Sequence, residues 1–405
     1  PDLRNPLIIQ DVTEVFKNSD FNAFKGKIVR IIVLPDAQDV PRKFYDGMVD
    51  FATSECNAKG LAWLKVNEGN ELQGDFGVYG YTYNFTNRWS TYRVSATPNV
   101  FKDSNDEELL KGPQKVVYND GVYSYSPIQT WSGGKYTFFA YYPYEHESIT
   151  YSDVDDEGRP IEGTPWVEYA PKNFLTSTER HIDVMTAMFE DTSLSSSQYV
   201  NFDFKHRLSA IDVVALNFYE YNQNDAGGDV TSEKIKIEIT DLNITFNNLD
   251  YKAATFYLDS SIPSEPTPIT SDDPQPSYNI ISGGSKLIEY STTSEFQHID
   301  RSKTLLFIPQ TDEDLEVTTT VSFKKKRDDD TYLNEIPTDA VEGKDYEIQD
   351  GVVTYISSKT TAFGQALKAG SRYFIQITFT SAAVSINILT SAEWEDLSDV
   401  YHEFE

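Results

Sequence analysis

A spacing of two constrains this chain more than any other feature. Tyr373, Ile375, Ile377 and Phe379 take alternate positions, with Phe374, Gln376, Thr378 and Thr380 between them. Val384, Ile386 and Ile388 repeat the pattern. So do Ile235, Ile237 and Ile239, followed by Leu242, Ile244 and Phe246. Successive side chains of a strand point to opposite faces, so this spacing predicts half-buried β-strands. Turn signals punctuate the runs at Asn119-Asp120-Gly121, Asn224 to Gly228, Gly283-Gly284 and Asp328 to Asp330. Many short strands with such punctuation predict antiparallel sandwiches.

The stretch from Trp131 to Tyr144 carries an aromatic strand, Tyr136 to Tyr142. It follows a Gly133-Gly134 turn and is stopped by Pro143. A second strand-like run spans Phe202 to Phe218. Aromatic residues make up 14% of the chain, a content that suits pleated, half-buried surfaces. Helical segments are few: Arg42 to Cys56 has an amphipathic pattern weakened by Gly47, and Ser357 to Ala369 could hold one short turn. Ile262 to Ser277, with five prolines, reads as an extended exposed loop. At 405 residues the chain exceeds one ordinary core, which predicts two domains. The Ser-rich stretch Asp191 to Gln198 is the expected linker. The expected fold is all-β, two tandem antiparallel β-sandwich domains at 1–190 and 191–405, with few short helices.

The formal net charge of −30 repels phosphate backbones, so nucleic acid is not an expected partner. A single cysteine, Cys56, allows neither an internal disulfide nor a thiolate zinc site. No run reaches the roughly 18 apolar residues of a membrane helix. The sequence starts at Pro1, so an export signal or lipid-bearing cysteine is expected upstream of it.

No catalytic, cofactor or metal constellation emerges. His146, His181, His206, His298 and His402 show no ligand spacing, and His206 lies inside a strand-like run where a structural role is expected. Asp153, Asp155, Glu157 and Gly158 resemble the opening of a calcium loop, but Thr164 stands where the bidentate Glu belongs. Lys324 to Arg327 followed by Asp328 to Asp330 reads as a hairpin with self-compensating charge. No G-x-S-x-G elbow, P-loop or dinucleotide fingerprint occurs. Trp63, Trp89, Trp166 and Tyr79 to Phe85 could stack on glycans, although core packing also accounts for such residues.

Several motifs follow one another in a recognisable order: Asp75 to Tyr81 (DFGVYGY), Trp89, Val117 to Tyr123 (VYNDGVY), Trp131, Tyr136 to Pro143 (YTFFAYYP), His181 to Ala187 (HIDVMTA), Phe202 to Val213, Leu367 to Phe379 and Trp394. This order resembles the fimbrillin-like proteins of Bacteroides-type bacteria, subunits and tip proteins of type V pili. The resemblance implies tandem transthyretin-like sandwiches and export as a lipoprotein. It also implies cleavage after an Arg, and polymerisation by β-strand donation. A sandwich lacking a strand exposes unpaired backbone groups beside an apolar groove, and a neighbour's extended segment satisfies both.

Cleavage of that kind would fall at Arg30, inside the apolar run Lys27 to Leu34, or at Arg4, making 1–30 a removable strand. The candidate complementation residues are Val29, Ile31, Val33, Val384, Ile386 and Ile388. Beyond Leu389, the spacing of Trp394, Leu397, Val400, Tyr401 and Phe404 suits a short helix or loose tail rather than a donor strand. A tip or accessory protein, which needs only to accept a strand, therefore fits as well as or better than a structural subunit. The resulting expectation is a non-enzymatic, outer-membrane-anchored surface pilus component. Its partners would be other pilus subunits and a host protein or glycan ligand, with no cofactor. The competing reading is a surface glycan-binding lipoprotein that does not polymerise.

Overall fold

The structure, a computed structural model, describes residues 9–11, 30–32, 74–83, 97–102, 110, 112–119, 122–127, 135–153, 163–177, 181–191, 200, 202–224, 230–293, 296–311 and 313–390. The chain forms two compact units, Pro1–Glu71 and Leu72–Glu405. In the first, β1 (Ile9–Asp11) and β2 (Arg30–Ile32) form a two-stranded antiparallel sheet with Asp11 opposite Arg30. The second unit contains β3 (Phe76–Tyr83), β4 (Gln114–Asn119), β5 (Val122–Ser124), β6 (Lys135–Tyr142), β7 (Ile149–Tyr151), β8 (Trp166–Tyr169), β9 (Met185–Asp191), β10 (Lys205–His206), β11 (Ser209–Phe218), β12 (Glu220–Asn224) and β13 (Val230–Lys234). It continues with β14 (Lys236–Asn247), β15 (Tyr251–Tyr257), β16 (Glu265–Pro268), β17 (Ser277–Ile281), β18 (Lys286–Ile288), β19 (Gln297–His298), β20 (Leu305–Phe307), β21 (Glu316–Lys326), β22 (Tyr346–Gln349), β23 (Val352–Ala362), β24 (Arg372–Thr380) and β25 (Val384–Thr390). One turn of 3-10 helix, Arg301–Lys303, interrupts the strands.

The expected all-β fold is present as two sandwiches in tandem. In the first, the six-stranded sheet β10-β9-β6-β3-β4-β5 meets the four-stranded sheet β16-β15-β8-β7. The Tyr141 and Tyr151 rings pack between these sheets at 5.5 Å, and the Tyr79 hydroxyl donates to the Ser152 carbonyl. In the second sandwich, β19-β11-β24-β25, with β20 on β11, meets β17-β14-β21-β23-β22, with β18 on β14. Phe323 of β21 packs edge-on to Phe379 of β24 at 5.0 Å. One core runs through both, from Tyr79 and Phe139 to Ile377 and Ile386.

The boundary expected at residue 190 does not divide the sheets. It falls inside β9, between Glu190 and Asp191, and β9 and β10 are neighbours in one sheet. The β15–β16 hairpin, from the second half, completes the first sandwich by pairing with β8. Sheet pairing joins distant segments, so a Ser-rich stretch alone did not reveal this exchange.

The alternation read from the sequence maps onto burial. Tyr373, Ile375, Ile377 and Phe379 all face the core. The three-residue step from Ile239 to Leu242 would flip the second half of β14 to solvent. A bulge between Ile239 and Asp241 corrects the parity, and all six apolar residues stay buried. The expected helical turn from Ser357 is instead strand through Ala362. There the hydroxyls of Ser358 and Thr360 meet those of Thr320 and Thr318 across the ladder at 2.9 Å. Asp350 and Gly351 close the β22–β23 hairpin with φ of 52° and 79°, the left-handed pair that a two-residue turn requires. The candidate helix Arg42 to Cys56 lies outside the described residues.

Two buried polar contacts hold the sandwiches in register. Strands β11 and β24 form the one parallel ladder among the described strands. Across it, Arg372 Nη1 donates to Asp212 Oδ2 at 2.6 Å, with side chains 1% and 5% exposed. The Thr304 hydroxyl donates to the other Asp212 oxygen at 2.5 Å. The second contact is His181. Its Nε2 lies 3.1 Å from the Phe174 carbonyl, and its Nδ1 accepts from the Leu306 N–H at 3.2 Å. Phe174, Tyr278 and Phe307 surround the ring. Both bonds need the neutral imidazole, and burial pushes its pKa down to about 4.

Asp212→Asn should therefore destabilise by about 3–5 kcal/mol, because it strands a buried guanidinium; chemical denaturation reads this directly. The His181 contribution has a defined sign. Above pH 6.5 it is complete. Between pH 6.5 and 4 only the unfolded chain takes the proton, so stability should fall by up to about 3 kcal/mol. Below pH 4 both states are protonated and the loss stops. Unfolding titrations across this range should show a shallower pH slope for His181→Gln than for the unaltered chain.

Candidate functional site

The terminal strand of a sheet leaves one row of backbone N–H and C=O groups without a ladder partner, so edges are where a second chain can add. Most edges in the second unit are short. Strand β10 has 2 residues, β5 and β7 have 3 each, and β22 has 4. Strand β16 has 4 residues but includes Pro266 and Pro268, which lack the N–H an added strand would need. Strand β17 reaches 5 residues. Strand β25 has 7 residues and no proline, the longest edge among the described strands.

Strand β25 pairs with β24 along its whole length, from Phe379 opposite Val384 to Tyr373 opposite Thr390. Its other edge has no ladder partner among the described residues. Ile386 enters the core at 8% exposure, and Val384 and Ile388 pack against that core. Ser385 and Asn387 face solvent. A turn fixes the start: Ala383 N–H donates to Thr380 Oγ1 at 3.1 Å. The Gln365 amide donates to Thr390 Oγ1 at the far end. Three alternating apolar anchors on an open edge give a segment that could exchange between copies.

The other candidates separate clearly. Arg30 and Ile31 sit in β2, paired with β1; Arg4, Val29 and Val33 lie outside the described residues. The structure therefore joins Val384, Ile386 and Ile388 on one strand and leaves the amino-terminal candidates in the other unit. Cys56, Trp63, Trp89, Trp131, Trp394, His402 and most of the Asp153–Gly158 run also lie outside the described residues. His206 has the expected structural contact: its Nδ1 lies 2.6 Å from Asp183 Oδ2.

The Lys324–Arg327 run behaves as a hairpin arm. Lys326 pairs with Asp330 at 2.9 Å and Arg327 with Glu233 at 2.6 Å. Lys325 points inward, 3.9 Å and 4.6 Å from the Tyr355 and Tyr219 ring centres, and burial pushes its pKa down to about 8. The described residues contain no group of three or more His, Cys, Asp or Glu arranged to hold a metal ion. The Asp212–Arg372 pair was missed from sequence. Its available signal was a lone acid within the apolar run Ala210 to Leu216.

A family model described as fimbrillin-like matches residues 66–394. The chain belongs to the fimbrillin-like family. Membership gives this fimbrillin-like chain a surface fimbrial role, in a family that is non-enzymatic in kind. A fimbrial protein from Bacteroides vulgatus is 18% identical, with 79% of this chain and 92% of that one covered and a TM-score of 0.48. A candidate cell adhesion protein from Bacteroides uniformis is 14% identical, over 80% and 93% of the two chains, with a TM-score of 0.35.

A second similarity touches the amino-terminal region of the fimbrillin-like chain. A GAD domain model matches residues 20–84. The aspartate–tRNA(Asp/Asn) ligase of Rickettsia felis is 41% identical over 113 residues, 27% of this chain and 19% of that protein. The chain thus spans about a fifth of that ligase. Reading 1–190 as a single sandwich missed this similarity.

If β25 is held as the geometry indicates, Ile386→Lys should lower stability by about 2–5 kcal/mol through loss of a buried anchor, whereas Asn387→Lys should change it by under about 0.5 kcal/mol. Urea midpoints of the two variants check this.

Proposed function

We propose that this protein is a pilus component that assembles by β-strand complementation through β25 and is held at the bacterial outer membrane. The observation carrying this reading is the β25 edge: seven residues, no proline, and Val384, Ile386 and Ile388 facing the core. Backbone hydrogen bonds would supply affinity, and the alternating anchors would set register. A head-to-tail contact of this type does not close on itself, so it generates a filament. A tip or accessory position fits the poor strand spacing beyond Leu389. The amino-terminal candidates remain part of the reading: cleavage after Arg30 or Arg4 would free the segment carrying Val29, Ile31 and Val33. Aminoacylation is not part of it, given the small fraction of a ligase that the chain spans.

The test combines an Arg-specific protease with a synthetic peptide copying Val384–Thr390. Treated protein should capture the peptide in a complex that survives denaturing electrophoresis, and an Ile386→Lys peptide should not be captured. Equal capture of both peptides, or of neither, would sink strand complementation. Mass spectrometry of the treated protein should show a new amino terminus after Arg4 or Arg30; an uncut terminus would remove the processing step alone.

A further inference from the structure

The outer face of the four-stranded sheet carries two adjoining rows of side chains. Trp166 of β8 lies directly opposite Tyr257 of β15. The next row on that face crosses all four strands: Thr150 opposite Glu168, Glu168 opposite Thr255, and Thr255 opposite Glu265. All six residues point away from the core, because Val167, Tyr169, Ala254 and Phe256 take the inward positions. Hydroxyls and carboxylates thus alternate at the strand spacing of about 4.8 Å, beside an aromatic pair.

The carboxylates are already set as acceptors of hydroxyl protons. The Thr150 hydroxyl donates to Glu168 Oε2 at 3.0 Å, and the Tyr257 hydroxyl donates to Glu265 Oε1 at 2.8 Å. Each carboxylate keeps its second oxygen without a partner among the described residues, and the Trp166 indole N–H has none there either. A ligand for this face must present apolar C–H surface to the rings and hydroxyl donors to the carboxylates. It must also carry no negative charge, given the acidic row and the net charge of −30.

We infer that this sheet face, centred on Trp166, Tyr257, Glu168 and Glu265, binds an uncharged oligosaccharide. A pyranose offers one apolar face for stacking and a rim of hydroxyls whose bonds to ionised carboxylates are strengthened by charge. The adjoining edge argues against a peptide, since Pro266 and Pro268 in β16 prevent strand addition there. The site sits on paired strands, which hold the rings and acceptors in fixed relation. It gives the surface pilus component proposed above a ligand class, and it is separate from β25.

The experiment screens the full chain against an array of neutral and acidic oligosaccharides and a lysine-rich peptide, then titrates the hits by calorimetry. Neutral glycans should be retained. Trp166→Ala should weaken them about tenfold or more, the loss of one stacked ring. Glu168→Gln should weaken them severalfold, and Tyr257→Phe, which keeps its ring, should lose less than Trp166→Ala. If Trp166→Ala fails to fold by circular dichroism, Glu168→Gln decides. No neutral glycan retained, acidic glycans preferred, the lysine-rich peptide captured instead, or full affinity in both Trp166→Ala and Glu168→Gln would each overturn the inference. Capture of the Val384–Thr390 peptide, measured on the same preparations, should be unchanged in Glu168→Gln, so the two readings fail separately.

Discussion

Every strand carries twice the backbone hydrogen-bonding capacity that a single neighbour can satisfy, and this molecule's organisation follows from where the excess goes. Central strands such as β6, β14 and β24 satisfy both sides within the fold. At the margins the chain uses brevity, as in β10 and β5, or proline, as in β16. Strand β25 uses neither device. Its contrast with β16 is informative because the two edges belong to the same unit: one is closed to added strands by its chemistry and the other carries no such block.

Two polar anchors sit where apolar packing alone would leave the arrangement loosely specified. The Asp212–Arg372 pair fixes the parallel register of β11 and β24, which no tight turn imposes. His181 links the segment before β9 with β20, across the junction of the two sandwiches. A buried ion pair adds little net stability compared with apolar residues of the same shape, but it penalises a slipped register heavily. The neutral imidazole acts similarly, because two directed bonds define one position for the Phe174 loop.

Local rules made much of the architecture legible. Period-two spacing revealed β14, β24 and β25, and Pro143 ended β6 as its ring chemistry requires. The step of three between Ile239 and Leu242 announced a bulge to anyone counting parity. What stayed hidden was pairing between distant segments: the β15–β16 hairpin crossing into the first sandwich, the parallel β11–β24 ladder, and the Thr150–Glu168–Thr255–Glu265 row. None of these has a signature within a window of ten residues, because each exists only once strands from separate regions align. Ser357 to Ala362 was misread for the same reason: its hydroxyl-rich sequence is ambiguous alone and becomes strand through the threonines of β21.

The span between Asp212 and Arg372 is 160 residues. Strand β11 is synthesised well before β24, and its two-sided burial is complete only when β24 arrives beside it. Until then a ten-residue apolar strand has no lasting cover, and closing so large a loop is entropically slow. A nascent copy therefore passes through an interval as an adhesive, half-built sheet. For such a chain the hazard of premature association is greatest before folding ends, and a holding chaperone would do most good by shielding β11.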